Sequence, residues 1–235
     1  AIHCMTAGGR HGSAHIIGGA VIDSDPGLAQ QAGIDVGIAW NEGKNLRAPD
    51  IVAGMDLRAP GWAKEAPPLA VEYADAGQDE GELREKIAEL LAFGTRMIWV
   101  VRLTGPLRVE VHEPGVAVRV VDGDGELHAR GILQNPVPVR ALIDRNAAHE
   151  ATLRNLLVRK GYASLHAVRE EGREEGREEG REAGRADGIE QSLAAMQGAL
   201  RAQLEARGFS LAPGLVERIR GCREVDVLAR WLTRV

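Results

Sequence analysis

Residues 67–101 read PPLAVEYADAGQDEGELREKIAELLAFGTRMIWVV, and this stretch decides the fold. It opens with a short strand, because Leu69, Val71 and Tyr73 alternate with Ala70, Glu72 and Ala74, and alternate side chains of a strand leave on opposite faces. Glu72 is therefore a charge on a face otherwise made of alanine. A polar crossover follows, whose Asp75, Asp79 and Glu80 suit the capping and dipole of a helix N-terminus. In that helix Leu83, Ile87, Leu90 and Leu91 recur at the spacing of a stripe packed on a sheet, and Gly94 is the expected stop. Lys86 flanks the stripe, and its long stem lets the ammonium reach the sheet edge. Residues 97–101 contain no polar side chain and read as a central strand covered on both faces. Strand, helix and strand of this length predict a parallel pair joined by a right-handed crossover.

Toward the N-terminus, Ile34, Val36, Ile38 and Trp40 alternate strictly and predict one strand with a buried face. NEGKN is a turn, and residues 46–52 return as the second strand of a hairpin. Pro49 has no N–H for a ladder, so the strand must bulge or run at an edge there, which aims its neighbour Asp50 out of the ladder. Taken alone, Asp50 reads as a strand-end or turn aspartate. The Gly-rich opening is not a phosphate-binding loop, since no Gly-Lys-Ser/Thr follows the glycines. A helix is expected over 13–22. His11 and His15, four apart, share a helix face at metal-ligand spacing, with Cys4 a candidate third zinc ligand. The plainer reading has both histidines hydrogen-bonded or facing solvent. Residues 55–68, MDLRAPGWAKEAPP, form a proline-rich loop expected over the site entrance.

Beyond the apolar strand, LTGPL turns into a strand over 108–112, and residues 116–121 and 126–132 flank DGDG, a hairpin signature. Asp122 and Asp124 lack the further ligands of a calcium loop. After a proline-punctuated stretch, Leu142, Leu153, Leu156 and Leu157 accompany a helical pattern suited to packing on the core or on a second copy. From Arg169 the chain repeats REEG, REEG, REEG, REAG, RADG, which stacks like charge on like at i, i+4 and leaves only i, i+3 Glu-to-Arg pairs to help. Its five glycines cost about 1 kcal/mol each in a helix. The repeat reads as a solvated marginal helix or flexible arm, with a helix-pairing stalk as the alternative. Apolar periodicity returns over 189–204, again after Pro213, and over 225–232, a small module of three helices.

At 235 residues the chain has room for one sizeable domain and a smaller one. Aromatics are 3% against 44% apolar residues, so the core is built mainly from aliphatic side chains, as in soluble α/β proteins. A net charge of −5 excludes a protein that coats nucleic acid by bulk electrostatics. Local phosphate contacts remain open, because the 29 basic residues include only four lysines, and arginines such as Arg47, Arg84 and Arg102 suit phosphate. Cys4 and Cys222 form no disulfide framework, which fits a reducing compartment. No apolar run reaches membrane-spanning length, so no membrane is expected and the cytoplasm is the default.

Asp50 in RAPDIV, Glu72 in LAVEY, Lys86 in LREKI and the strand FGTRMIWVV, in that order, resemble the core of the Uma-type restriction endonucleases, a branch of the PD-(D/E)XK nuclease superfamily. The resemblance covers residues 9–133. It implies an α/β fold, a restriction-endonuclease-like mixed sheet flanked by helices, followed here by the charged arm and an all-α C-terminal module. In that family one acid comes from a Pro-Asp at a strand end, a second from the next strand, and the lysine from the following helix. Carried over, this makes Asp50, Glu72 and Lys86 catalytic. One or two Mg²⁺ (or Mn²⁺) ions would be held by Asp50, Glu72 and the carbonyl of Tyr73, with DNA as the substrate. Two departures stand out: Pro68 occupies the place of a second Pro-Asp, and no glutamate precedes Glu42 where many members have an acid on the first helix. The expected organisation is an endonuclease-like domain over 1–160, the arm over 161–188 and the helical module over 189–235, with the arm and module available for homo-oligomerisation. The alternatives are a nuclease-like module that binds or assembles without cutting, and an adaptor in which Lys86 and Glu72 are simply a buried ion pair.

Overall fold

A computed structural model describes residues 9–28, 31–77 and 79–234. The chain divides after Leu165 into two compact units, each with its own apolar core.

The first unit runs α1 (Gly9–Asp23), β1 (Ala32–Ile34), β2 (Ile38–Trp40), β3 (Asn45–Arg47), β4 (Ile51–Ala53), β5 (Leu69–Ala74), α2 (Glu80–Phe93), β6 (Met97–Arg102), β7 (Arg108–His112), β8 (Arg119–Asp122), β9 (Glu126–Leu127), β10 (Val137–Pro138), a 3-10 turn (Val139–Leu142) and α3 (Arg145–Arg159). Six strands form a mixed sheet in the order β1-β4-β5-β6-β7-β8. β5 and β6 are parallel, with Glu72 beside Val100, and every other pair in the sheet is antiparallel. The parallel pair bridged by α2 is the unit expected from residues 67–101. Asp79 caps α2 by accepting from the N–H groups of Gly81 and Glu82, worth about 1 kcal/mol, and Gly94 ends it at a positive φ of 124°.

The period of two in β5 separates two cores. Leu69, Val71 and Tyr73 pack with Ile51 and Trp99 under α1 and α3, while Ala70 and Ala74 pack with Ile98 and Val100 under Leu83, Ile87 and Leu90 of α2. All six residues of β5 are buried, so Glu72 lies inside the layer beneath α2. On the other side, α1 comes unusually close to β5, because a Cβ added to Gly18 would stand 1.9 Å from the Tyr73 hydroxyl oxygen. That hydroxyl donates to the carbonyl of Leu142 at 3.0 Å.

Three expectations are corrected. The alternating run 34–40 is two strands in two sheets: β1 joins the main sheet, while β2 pairs with β3 in a separate two-stranded sheet and bridges to Ala63. The break falls at Asp35, whose φ of 51° turns the chain out of the extended region. The return strand 46–52 is likewise divided into β3 and β4, with Pro49 in the gap where a ladder would need an N–H. The DGDG turn does not join a hairpin, since β8 pairs with β7 and β9 with β10. Asp124 of that turn is instead ion-paired to Arg140 at 2.6 Å.

In the second unit a single 42-residue helix, α4 (Leu165–Ala206), carries the charged repeat and the segment 189–204 without interruption. The repeat is exposed throughout, and nothing lies within 4 Å of a Cβ placed on its glycines. Arg173 meets Glu170 at 3.3 Å and Arg177 meets Glu174 at 3.0 Å, both i, i+3 pairs. Two shorter helices, α5 (Pro213–Gly221) and α6 (Val225–Arg234), complete the unit, with Leu193, Leu200, Ile219 and Leu228 as its core. No helix among the described residues is long and apolar enough to cross a membrane.

Candidate active site

The site forms just before β4 begins, where β5 runs on past it. Ile51 pairs with Val71, so one rung further Asp50 stands opposite Glu72, although the chain has already left the ladder. Asp50 takes over the role of the missing strand: its Oδ2 accepts the backbone N–H of Tyr73 at 2.6 Å. Glu72 projects toward α2, where Lys86 Nζ donates to Glu72 Oε2 at 2.7 Å and to the carbonyl of Ala48 at 2.8 Å. The lysine of the second helix thus ties together β5 and the segment that leads into Asp50. Glu72 Oε1 is buried with no hydrogen-bond partner.

The histidines reach Asp50 from α1. His15 Nε2 is 3.2 Å and His11 Nε2 3.6 Å from Asp50 Oδ2, and the two imidazole rings lie 4.3 Å apart between centroids. The His15 ring also rests against Tyr73, 5.2 Å away. Ligand atoms of His11, His15 and Asp50 all lie within 4.8 Å of one another. A shared face on α1 was legible from the i, i+4 spacing, but the third group, Asp50, came from the segment leading into β4, 35 positions after His15. Cys4, the third ligand considered from the sequence, lies outside the described residues.

The electrostatics follow from burial and neighbours. Glu72 is 4% exposed, and loss of hydration pushes its carboxyl up to about 7; the Lys86 ammonium opposes this and the Asp50 charge adds to it. Burial also works against ionisation of Asp50, but His15, the Tyr73 N–H and Lys86 outweigh it and hold the carboxyl below its ordinary value. For His15, burial disfavours the imidazolium, and contact with Asp50 reverses that, leaving its pKa raised. Burial, helped by the Asp50 charge, pushes the Tyr73 phenol up, so it remains a hydrogen-bond donor. Two adjoining carboxyls are thus driven in opposite directions, a pattern common where acids have different tasks.

Other expected participants are engaged elsewhere. Arg47 pairs with Glu89 at 2.8 Å. Arg102 is clamped by Glu80 and, through two 2.9 Å bonds, by Glu110, while Arg84 is exposed. The proline-rich loop closes on a cavity of about 500 Å³ lined by Val36, Met55, Trp62 and Lys64, not by Asp50, Glu72 or Lys86.

No protein-family model and no curated protein sequence matches the chain. Among solved structures, a chain from Anabaena variabilis described as "a putative nuclease belonging to DUF820" superposes with a TM-score of 0.52 at 19% identity, over 61% of this chain and 84% of that one. The likeness is one of fold. The mixed sheet with α2 crossing between β5 and β6 is therefore a nuclease-like architecture.

Proposed function

We propose that the first unit is a metal-dependent nuclease that hydrolyses phosphodiester bonds in DNA, with Asp50, Glu72 and Lys86 as its catalytic residues. The observation that supports this reading is the Lys86–Glu72 pair one residue from Tyr73, whose backbone N–H is accepted by Asp50. Asp50 is opposite Glu72 in register, and Lys86 is 2.7 Å from the Glu72 carboxylate. The donor types fit a hard divalent cation: carboxylate oxygens, and in Glu72 Oε1 a buried acceptor for which the protein supplies no donor. Asp50, Glu72 and the Tyr73 carbonyl would hold Mg²⁺ or Mn²⁺. When bound, the ion supplies Lewis acidity to the scissile phosphate and lowers the pKa of a coordinated water.

The chain's own groups divide the remaining work. Asp50, kept ionised by its neighbours, is a permanent anion at the site. In the metal-free protein Glu72, with its carboxyl pushed up to about 7, can hold a proton at Oε1, which a bound cation would displace. Lys86 places three donors on one ammonium, and the one not taken by Glu72 and Ala48 can stabilise charge developing on the phosphate. The experiment is incubation of the full chain with plasmid and linear DNA in Mg²⁺, Mn²⁺ or EDTA, alongside Glu72→Gln and Lys86→Ala. Metal-dependent cleavage lost in both variants supports the reading. A folded wild-type protein that cuts neither DNA with either ion overturns it in favour of a nuclease-like module that binds or assembles without cutting.

A further inference from the structure

The histidines of α1 are not used by the catalytic set above, yet they are placed as ligands. His15 is more than nine-tenths buried as a side chain, and its Nε2 has no hydrogen-bond partner although it lies 3.2 Å from Asp50 Oδ2. That nitrogen is aimed at a carboxylate oxygen which a second imidazole also approaches, and the atoms around it have the spacing of ligands. Two donors each about 2.1 Å from an ion and separated by a tetrahedral angle stand about 3.4 Å apart. The distances from Asp50 Oδ2 to the two Nε2 atoms are 3.2 and 3.6 Å, on either side of that value. Ligating histidines commonly turn their other nitrogen toward a carboxylate, and His15 Nδ1 faces Asp35 Oδ1 at 3.9 Å. The placement is built into the backbone: Gly18, one turn after His15, lets α1 approach β5 closely enough for both rings to reach Asp50.

We propose that His11, His15 and Asp50 form a metal centre selective for a first-row divalent transition ion over Mg²⁺. Two imidazole nitrogens and one carboxylate oxygen make a borderline donor set, which suits Zn²⁺, Co²⁺ or Mn²⁺ far better than an ion that prefers all-oxygen octahedra. The proposal rests on Asp50 as a metal ligand, as in the nuclease reading, and changes which ion the site takes.

The test reads the metal and not cleavage. Wild-type protein, stripped with chelator, is titrated with Co²⁺ followed by visible absorption, and with Mn²⁺ followed by pulsed electron paramagnetic resonance for coupling to ¹⁴N. Expected are one bound Co²⁺ with an intense d–d band, ¹⁴N coupling on bound Mn²⁺, and little displacement of either by a hundredfold excess of Mg²⁺. His11→Gln, whose side chain is partly exposed and whose fold is checked by circular dichroism, should weaken Co²⁺ binding at least tenfold. His15→Gln should do the same and lose the ¹⁴N signal further, and Asp50→Asn should abolish binding. Mn²⁺ bound without ¹⁴N coupling, or equal affinity in a folded His11→Gln protein, overturns the proposal. The two readings fail separately. Nitrogen-ligated metal in a protein that never cuts DNA sinks the nuclease and keeps this centre, while Mg²⁺-driven cleavage with no nitrogen coupling does the reverse.

Discussion

Replacing Glu72 by Gln should make the metal-free protein more stable, and by an amount that depends on pH in a defined direction. The Glu72 carboxyl is buried, bonded through one oxygen to Lys86 and unpaired at the other, with its pKa pushed up from 4.5 to about 7. Between those two values the folded protein keeps a proton that the unfolded chain has already released. Folding stability therefore falls as pH rises through that window and is at its lowest above the folded pKa. A gap of about 2.5 pH units at about 1.4 kcal/mol each amounts to about 3 kcal/mol. Gln keeps the shape and an acceptor for Lys86 but cannot ionise, so it avoids this loss. In EDTA, Glu72→Gln should match the wild type near pH 4.5 and exceed it by about 3 kcal/mol at pH 8.5, a shift of about 1–1.5 M in the urea midpoint for a domain of this size. The measurement is a urea titration at several pH values in a Trp231→Phe background, so that tryptophan emission comes from Trp40, Trp62 and Trp99 of the first unit. A variant less stable than the wild type at pH 8.5, or a difference that does not change with pH, would refute the placement of a buried, protonation-costly carboxyl at this position.

Lys86→Ala removes the ammonium paired with Glu72 Oε2; because Glu72 can answer by taking up a proton, the cost should be about 2 kcal/mol at pH 7 and larger at pH 8.5, read from the same urea midpoints. Gly18→Ala drives a methyl group into the Tyr73 hydroxyl and should cost about 1–3 kcal/mol by thermal melt, while the double variant Gly18→Ala with Tyr73→Phe should recover part of that loss, since the clashing oxygen is gone. In the second unit, Leu200→Ala should cost about 2–4 kcal/mol and lower a transition seen at Trp231 while leaving the one seen at Trp99 in place. Gly176→Ala and Gly180→Ala, where a Cβ meets nothing, should each stabilise α4 by nearly 1 kcal/mol, visible as increased helical circular dichroism on heating.

How far the sequence could be read depended on the range of the contacts involved. The β5-α2-β6 unit was legible because its signals are local: a period of two, then a stripe at helical spacing, a capping aspartate and a terminating glycine, all confirmed where they were expected. The run 34–40 misled for the opposite reason. Its alternation is real, but Asp35 adopts a positive φ, and the same pattern serves two sheets. DGDG likewise marks a turn correctly without fixing which strands pair, because pairing was decided by β7 and β10. At the site, Glu72 and Lys86 are 14 residues apart, and the helix and strand faces alone predicted that the lysine would point toward the sheet edge. The contact of His15 with Asp50 was not legible. It depends on the tilt of α1 over β5, which Gly18 permits and which no local period encodes.

The place of Asp50 against β5 is set by the register of the adjoining β4 and by one hydrogen bond, from the Tyr73 N–H to Asp50, and not by the length of the connection between β4 and β5. That connection passes through Arg58, Ala59 and Pro60, all exposed. Lengthening a surface loop is inexpensive, about 0.6 kcal/mol for each doubling. The chain can therefore be extended between Arg58 and Ala59, with a fluorescent tag or a tethering peptide, at a point where added length is absorbed by solvent and the distance from Asp50 to Glu72 stays the same.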